Sequence, residues 1–125
     1  MPRTEVVFYL DDDGTALVLD ALRSLLAGGQ RKVVARCWVR MERLAEVGHE
    51  LRRPEADYLR DGIYELRVTH QRVHYRILYF FHGRRLVVLS HVIKKVDRVP
   101  ETEIDRALAH RRRYRDDPEK HTLRR

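Results

Sequence analysis

The chain has 125 residues, the length of one ordinary domain. Lysine and arginine number 26 against 19 acidic residues, and the formal net charge is +7. A small domain with this charge attracts polyanions, most often nucleic acid, although a surface that only keeps the protein soluble gives the same composition. Cys37 is the single cysteine, which excludes an internal disulfide and a thiolate metal cluster within one chain.

The opening residues and the hydropathy pattern point to the cytoplasm. MPRTEVVFYLDDD shows no charged-then-apolar leader with a cleavage site. No apolar run approaches the roughly 18 residues that a membrane span needs. Together with the lone cysteine, these features lead us to expect a cytoplasmic protein with no membrane partner.

The first part of the chain predicts a strand and two helices. Residues 4–10, TEVVFYL, are β-branched and aromatic, as in a strand. Apolar residues recur at helical spacing from about 15 to 27 and again from about 30 to 47, and glycines follow both stretches. The apolar stripe of the second helix is predicted to pack in the core, and it consists of Val34, Cys37, Trp38, Met41, Leu44 and Ala45.

The second part predicts a loop over 49–62, strands over 63–70, 73–81 and 86–94, and a helix that Pro100 opens. We therefore expect an α+β fold: two N-terminal helices and a C-terminal helix packed on one face of a small, mostly antiparallel sheet. Residues 1–115 would form a single domain. Residues 116–125 would form a polar C-terminal tail that frays.

Two neighbouring hairpins are predicted to bring cations together. A two-residue turn at residues 71–72 places Arg67 opposite Arg76. The register expected for the next hairpin places His91 opposite Arg76, which completes a row across three strands. Adjacent guanidinium groups repel each other and weaken a sheet, so this row requires an explanation.

Two explanations for the row are open. Glu65 lies two residues from Arg67 on the same face, and its carboxylate can neutralise the arginines in a purely structural role. Alternatively, the row binds a phosphate group, because the arginine fork matches phosphate geometry. Lys94 and Lys95 add charge at the end of the third strand, where lysines also serve to blunt a sheet edge.

The segments LRDGIYELR, HYRILYF, VLSHVIKKVDRVP and EIDRALAHRRRY, in this order, resemble the RelE/HigB toxins of bacterial toxin–antitoxin pairs. The similarity is closest to the phage-derived branch of that superfamily and covers about residues 55–115. It implies a RelE-like fold and a small endoribonuclease that cuts mRNA, typically at the ribosome, and thereby inhibits translation. It also implies a cognate antitoxin, often a HigA-like helix-turn-helix protein, through which the pair binds operator DNA.

The resemblance also implies roles for individual residues. Arg67 and Arg76 match the strand arginines at the scissile phosphate, and Lys94 and Lys95 match a lysine pair of the family. Strand alternation favours Lys95 over Lys94, since it places Lys95 on the arginine face.

The chemistry expected of such a site needs no metal or other cofactor, because RNA carries its own nucleophile, the 2′-OH. Arginines that hold the pentacoordinate phosphate supply electrostatic stabilisation. The general base is open among His91, His74, Glu65 and a lysine with a lowered pKa. The histidines do not form a convincing metal site.

A wider basic surface is predicted to hold RNA phosphates without sequence preference. The residues in this prediction are Arg84, Arg85, Arg98, Arg111, Arg112, Arg113 and Arg115. The alternative for the helical members is an ordinary basic C-terminus that suits the helix dipole.

Two other functions remain open at this stage. The first is a non-catalytic module that binds RNA or the ribosome and blocks translation without cutting. The second is a degenerate or purely regulatory partner that binds an antitoxin and, as a complex with it, DNA. Fold alone does not choose between them, because related sheets carry different functions.

Overall fold

A computed structural model of the chain describes residues 3–95 and 97–125, and for Lys95 only the backbone is described. In chain order, the elements are β1 (Glu5–Tyr9), α1 (Leu17–Ala27), α2 (Arg31–Val47), a 3₁₀ turn (Gly48–Glu50), β2 (Ala56–Arg60), β3 (Ile63–His70), β4 (Val73–Phe81), β5 (Leu86–Lys95), α3 (Glu101–Asp116) and β6 (Thr122–Arg124). Within these ranges, none of the helices is long and apolar enough to cross a bilayer.

The strands form one six-stranded sheet in the order β2-β3-β4-β5-β1-β6. The pairing of β1 with β5 is parallel, and the other pairings are antiparallel. The expected α+β class with a mostly antiparallel sheet is therefore confirmed.

Helices cover both faces of the sheet, which corrects the expectation of a single covered face. Leu66, Ile77 and Tyr79 are buried in the core that α1 and α2 contribute to. On the opposite face, Leu78 and Phe80 are buried against residues of α3. The reason lies in β4, where four consecutive apolar residues, 77–80, place two side chains on each face, so both faces require cover.

The turn between β3 and β4 has the predicted register. Gln71 and Arg72 form the two-residue turn, with φ angles of 50° and 66°, as a type I′ turn requires. The pairing then runs from His70 with Val73 back along both strands, and Arg67 pairs with Arg76.

The β4–β5 hairpin differs from the prediction at a β-bulge. Tyr79 pairs with Leu89, whereas its neighbour Leu78 pairs with His91. Ser90 is therefore the extra residue of the bulged strand.

The bulge and a longer turn shift the register by two residues near the arginines. Arg76 pairs with Ile93, so the predicted pairing of Arg76 with His91 is wrong. A shift of two residues keeps His91 on the arginine face, but opposite Leu78.

Two short strands, β2 and β6, lie outside the strands predicted from the sequence. β2 lies within the predicted loop over 49–62 and pairs with β3. β6 lies within the predicted tail and pairs with β1, so these residues are ordered rather than frayed. The hydroxyl of Thr122 donates to the carbonyl of Pro118 at 2.6 Å and accepts from that of Tyr114 at 2.8 Å, which anchors β6 to α3. The domain boundary at residue 115 stays a prediction.

The strained turn provides a test of the hairpin. Gln71 and Arg72 both occupy the left-handed region, which disfavours residues with a Cβ. Replacing them together by Asn-Gly should raise the free energy of unfolding by about 1 kcal/mol in urea titrations. Arg72→Ala removes the same side chain but keeps the Cβ, so it should give no such gain. Equal gains from both variants would contradict the turn assignment.

Candidate functional site

The paired arginines of β3 and β4 share one buried carboxylate. Glu65 Oε1 lies 2.8 Å from Arg76 Nε, and Glu65 Oε2 lies 3.8 Å from Arg67 Nε. The side chains of Glu65 and Arg76 are 6% and 8% exposed, whereas that of Arg67 is 26% exposed. Only Arg67 therefore offers its guanidinium to solvent to an appreciable degree.

Arg76 is held from a second side by the segment between β5 and α3. Its Nη1 donates a hydrogen bond to the backbone carbonyl of Asp97. The 2.8 Å contact of its Nε with Glu65 does not have hydrogen-bond geometry, so both of these buried atoms lack a hydrogen-bond partner among the described residues. The attraction between the two side chains is thus mainly coulombic, and it is strengthened by burial.

Burial raises the pKa of Glu65, while Arg76 and Arg67 act in the opposite direction. Asp57, which pairs with Glu65 across β2 and β3, also raises this pKa. Two guanidinium groups and one carboxylate leave the cluster with an excess positive charge. We call Glu65, Arg67 and Arg76 the arginine cluster.

The next row toward the hairpin turn carries a histidine. Thr69 pairs with His74, and Thr69 Oγ1 lies 2.9 Å from His74 Nδ1, which fixes the orientation of the ring. His74 is partly exposed, and it pairs through the backbone with Lys95. The predicted position of Lys95 on the arginine face agrees with this pairing, whereas its side chain lies outside the described structure.

Lys94 lies on the opposite face. It pairs with Tyr75, and its Nζ is 5.9 Å from the centre of the tyrosine ring. This face belongs to α1 and α2, so Lys94 does not join the arginine cluster.

His91 is buried beneath α3, away from the arginine row. Its Nε2 lies 2.9 Å from Glu103 Oε1, and its Nδ1 lies 2.9 Å from the hydroxyl of Ser90. The same hydroxyl lies 2.7 Å from His110 Nδ1. His110, Ser90, His91 and Glu103 thus form one polar chain between β5 and α3, which we call the histidine chain.

One proton arrangement satisfies the histidine chain. His110 Nδ1–H donates to the Ser90 oxygen, the Ser90 hydroxyl donates to His91 Nδ1, and His91 Nε2–H donates to Glu103. Burial lowers the pKa of His91 to about 4 and that of His110 to about 3, so both rings are neutral at pH 7. Neither Ser90 nor His110 was predicted as a polar core residue, although His110 continues the spacing of Ile104 and Ala107 on α3.

The predicted RNA-binding arginines occupy different environments. Arg84 and Arg85 are exposed in the β4–β5 turn, and Arg98 is exposed before α3. Arg113 is paired, with Asp11 at 3.3 Å and Asp12 at 3.6 Å.

The remaining three arginines line one cleft of about 450 Å³ between α3 and the β2–β3 turn. Arg111 Nη1 donates to the backbone carbonyl of Asp61 at 2.7 Å, and Gly62 leaves room for it because any Cβ there would collide with the guanidinium. The other lining residues are Leu108, Arg112, Arg115, Asp61 and Asp116. Burial lowers the pKa of Arg111, and Arg115 and Arg112 add to this effect.

Two arginines of α2 that were not predicted as site residues bind the backbone of β3. Arg40 Nε donates to the carbonyl of Arg67 at 2.9 Å, and Arg36 Nη1 donates to that of Thr69 at 2.9 Å. Their spacing of four residues on the polar face of α2 was the available signal. No cluster of three or more metal-ligating side chains occurs in residues 3–95 and 97–125.

Comparison with known proteins identifies one family. The family model described as "Phage derived protein Gp49-like (DUF891)" matches residues 20–113. No curated protein matches the chain. The match agrees with the phage-derived origin that the sequence resemblance implied, and it is consistent with a toxin of a toxin–antitoxin pair.

The histidine chain predicts a loss of stability in acid. Unfolding restores the ordinary histidine pKa near 6.5, whereas the folded values are about 4 and about 3. At pH values between the folded and the unfolded pKa, the unfolded chain binds more protons than the folded chain. The free energy of unfolding therefore falls as the pH drops through this range. From pH 7 to pH 5 we expect a loss of about 2 kcal/mol for each histidine, measured by urea titration.

His91→Gln should remove about half of this pH dependence, even if it lowers stability at pH 7. The matched His74→Gln substitution, outside the histidine chain, should leave the dependence as in the wild type. A wild-type curve that is flat between pH 7 and pH 5 would contradict the arrangement.

Proposed function

We propose that this chain, which belongs to the Gp49-like family of phage-derived proteins, is the toxin of a toxin–antitoxin pair and cuts mRNA. The proposed reaction is metal-independent and uses the RNA 2′-OH as its nucleophile. It takes place in the cytoplasm, on mRNA at the ribosome, and it stops translation and growth.

The observation that carries this proposal is the charge of the arginine cluster. Two adjacent guanidinium groups share a single carboxylate, and one of them, Arg67, is partly exposed. A partly dehydrated excess of positive charge favours an anion that carries more than one charge in the transition state, such as a pentacoordinate phosphorane. The net charge of +7 adds a long-range attraction for RNA.

The residues take the following roles in this proposal. Arg67 contacts the scissile phosphate directly, and Arg76 stabilises its charge from beneath. A base removes the proton from the 2′-OH, whose oxygen attacks phosphorus, and an acid protonates the departing 5′-oxygen. The products are a 2′,3′-cyclic phosphate and a 5′-hydroxyl end.

We assign the base to His74 or Glu65. His74 lies one row from the arginines with its Nδ1 bound to Thr69, so Nε2 is the ring nitrogen for proton transfer. Glu65 touches both arginines, and burial raises its pKa toward the range of a useful base. Both ring nitrogens of His91 are engaged within the histidine chain, so we assign it a structural role.

The proposed partners follow from the same assignment. A cognate antitoxin, of the HigA-like helix-turn-helix type, neutralises the protein, and operator DNA is bound only through that complex. The exposed arginines outside the cluster bind ribosomal RNA or mRNA phosphates.

A non-catalytic role is the second candidate, and a specific observation favours it. Arg76 is almost fully buried and is held by both Glu65 and the Asp97 carbonyl, as in a structural ion pair. A module with this arrangement would bind RNA or the ribosome through its surface arginines alone.

Arg67→Gln separates the two candidates. Because Arg67 is the more exposed arginine, the substitution should change the free energy of unfolding by less than about 1 kcal/mol. Removing a donor from the transition state should lower the cleavage rate by roughly 100-fold. The measurement is induced expression in a bacterial host with transcript 5′ ends mapped, beside Arg23→Gln as a surface control on α1.

New 5′ ends for the wild type and Arg23→Gln, but not for Arg67→Gln, are the expected result. Growth arrest without new ends in any strain would replace the ribonuclease by the translation-blocking module. Absence of arrest in all three strains would leave the arginine cluster with a structural role only.

The cleft arginines predict the salt dependence of RNA binding. Arg112→Gln with Arg115→Gln should weaken binding of unrelated RNA oligomers alike and reduce the slope of log affinity against log salt by about 2. Arg113→Gln should change the slope less, because Arg113 is already paired with two aspartates. Fluorescence anisotropy across a salt series measures both. An equal reduction of the salt slope by Arg113→Gln would show that the cleft arginines contribute no more to RNA binding than a paired arginine does.

A further inference from the structure

The outer edge of β3 is uncovered near the hairpin turn. β2 pairs with β3 only as far as Leu66, opposite Ala56. One further backbone bond follows, from the amide of Arg67 to the carbonyl of Glu55 at 2.8 Å. Beyond it, within the described parts of the chain, no strand pairs with this side of residues 68–70.

Backbone geometry determines which groups point outward there. In an antiparallel pair, the residues flanking a two-residue turn exchange hydrogen bonds, and every second residue then directs both its N–H and its C=O outward. The outward residues are Arg67 and Thr69. Their hydrogen bonds confirm this direction: the Arg67 amide and carbonyl bond to Glu55 and Arg40, and the Thr69 carbonyl bonds to Arg36. The Thr69 amide is thus an exposed donor at an open sheet edge.

A groove runs along this edge between β3 and α2. Its volume is about 360 Å³, and it is lined by Ala35, Arg36, Val39, Arg40, Val68 and Thr69. Val39 is 59% exposed and lies beside the open strand. The groove therefore offers an apolar floor together with cationic sides.

The charged residues beside the groove indicate which kind of partner segment it would bind. Arg36 binds the carbonyl oxygen of Thr69, which satisfies a donor without neutralising its charge, whereas Arg40 also lies 3.5 Å from the Glu55 carboxylate. The side chain of Arg67 lies on the other face of the same strand, so cations flank the edge on both faces. Carboxylates on an added strand would meet Arg67 on one face, while its alternate residues would meet Val39 and Val68 on the other.

We propose that the open edge of β3 is the docking site for an extended segment of a partner protein in which apolar and acidic residues alternate. The segment adds a strand beside residues 67–69, accepts a hydrogen bond from the Thr69 amide and displaces Arg36 from the Thr69 carbonyl. Arg36, which reaches the edge from the α2 side, then lies beside the segment and adds to the positive charge that attracts its carboxylates. This inference does not depend on RNA cleavage, although a segment in this place would lie beside the arginine cluster.

The test uses a capped six-residue peptide of alternating valine and glutamate, titrated into the full chain and followed by amide chemical shifts. We expect saturable shifts of the Thr69 amide and of residues 35–40. A peptide with lysine in place of glutamate should bind at least 10-fold more weakly. The glutamate peptide with N-methyl groups on one edge should also lose at least 10-fold in affinity, because it cannot pair with a strand.

Variants of the full chain add a second arm to the test. Arg36→Gln should weaken the glutamate peptide by about 10-fold, whereas Arg31→Gln, on the first turn of the same helix, should not. Equal binding of the methylated peptide, shifts centred on the α3 cleft, or no binding at millimolar peptide would each overturn the proposal. So would an RNA oligomer that shifts the Thr69 amide when the peptide does not. None of these outcomes bears on cleavage, so the proposed ribonuclease is tested separately.

Discussion

The structure depends on the burial of β4 from both sides. The apolar run over 77–80 cannot be covered by helices on one face alone, so α1 and α2 pack on one side and α3 on the other. Burial at about 25 cal/mol per Å² of apolar area makes this three-layer arrangement the main source of stability. The position of α3 then brings the segment containing Asp97 over the arginine end of β4.

This constraint explains why the arginine cluster is asymmetric. Arg76 belongs to the buried central strand, so covering the strand also covers the arginine and draws Glu65 to it. Arg67 lies on β3 near the open edge and keeps part of its surface. A structural ion pair and a phosphate site are therefore compatible, because the buried partner orients the exposed one and keeps its surroundings partly dehydrated.

The sequence predicted the structure correctly where turn geometry and the alternation of side chains along a strand determine it. β3 and β4 have the predicted bounds, and the two-residue turn between them sets the register that pairs Arg67 with Arg76. The bulge at Ser90 has no local signature, since its stabilising partner is His110, twenty residues away on α3. β6 was missed for a similar reason, as its polar residues are held by β1 rather than by their own propensity.

A further pattern appears in the use of arginine. Arg36 and Arg111 each donate to a backbone carbonyl, where a neutral acceptor satisfies the donor but leaves the positive charge in place. Arg60, by contrast, contacts three carboxylates and contributes little to the field outside the protein. Arginines that donate to backbone carbonyls stabilise sheet edges and loops. Because their charge is not neutralised, the protein surface still attracts anions. Such arginines line a cavity both at the open edge of β3 and at the α3 cleft, so the acidic segment and the phosphate backbone that we propose as ligands would occupy separate sites.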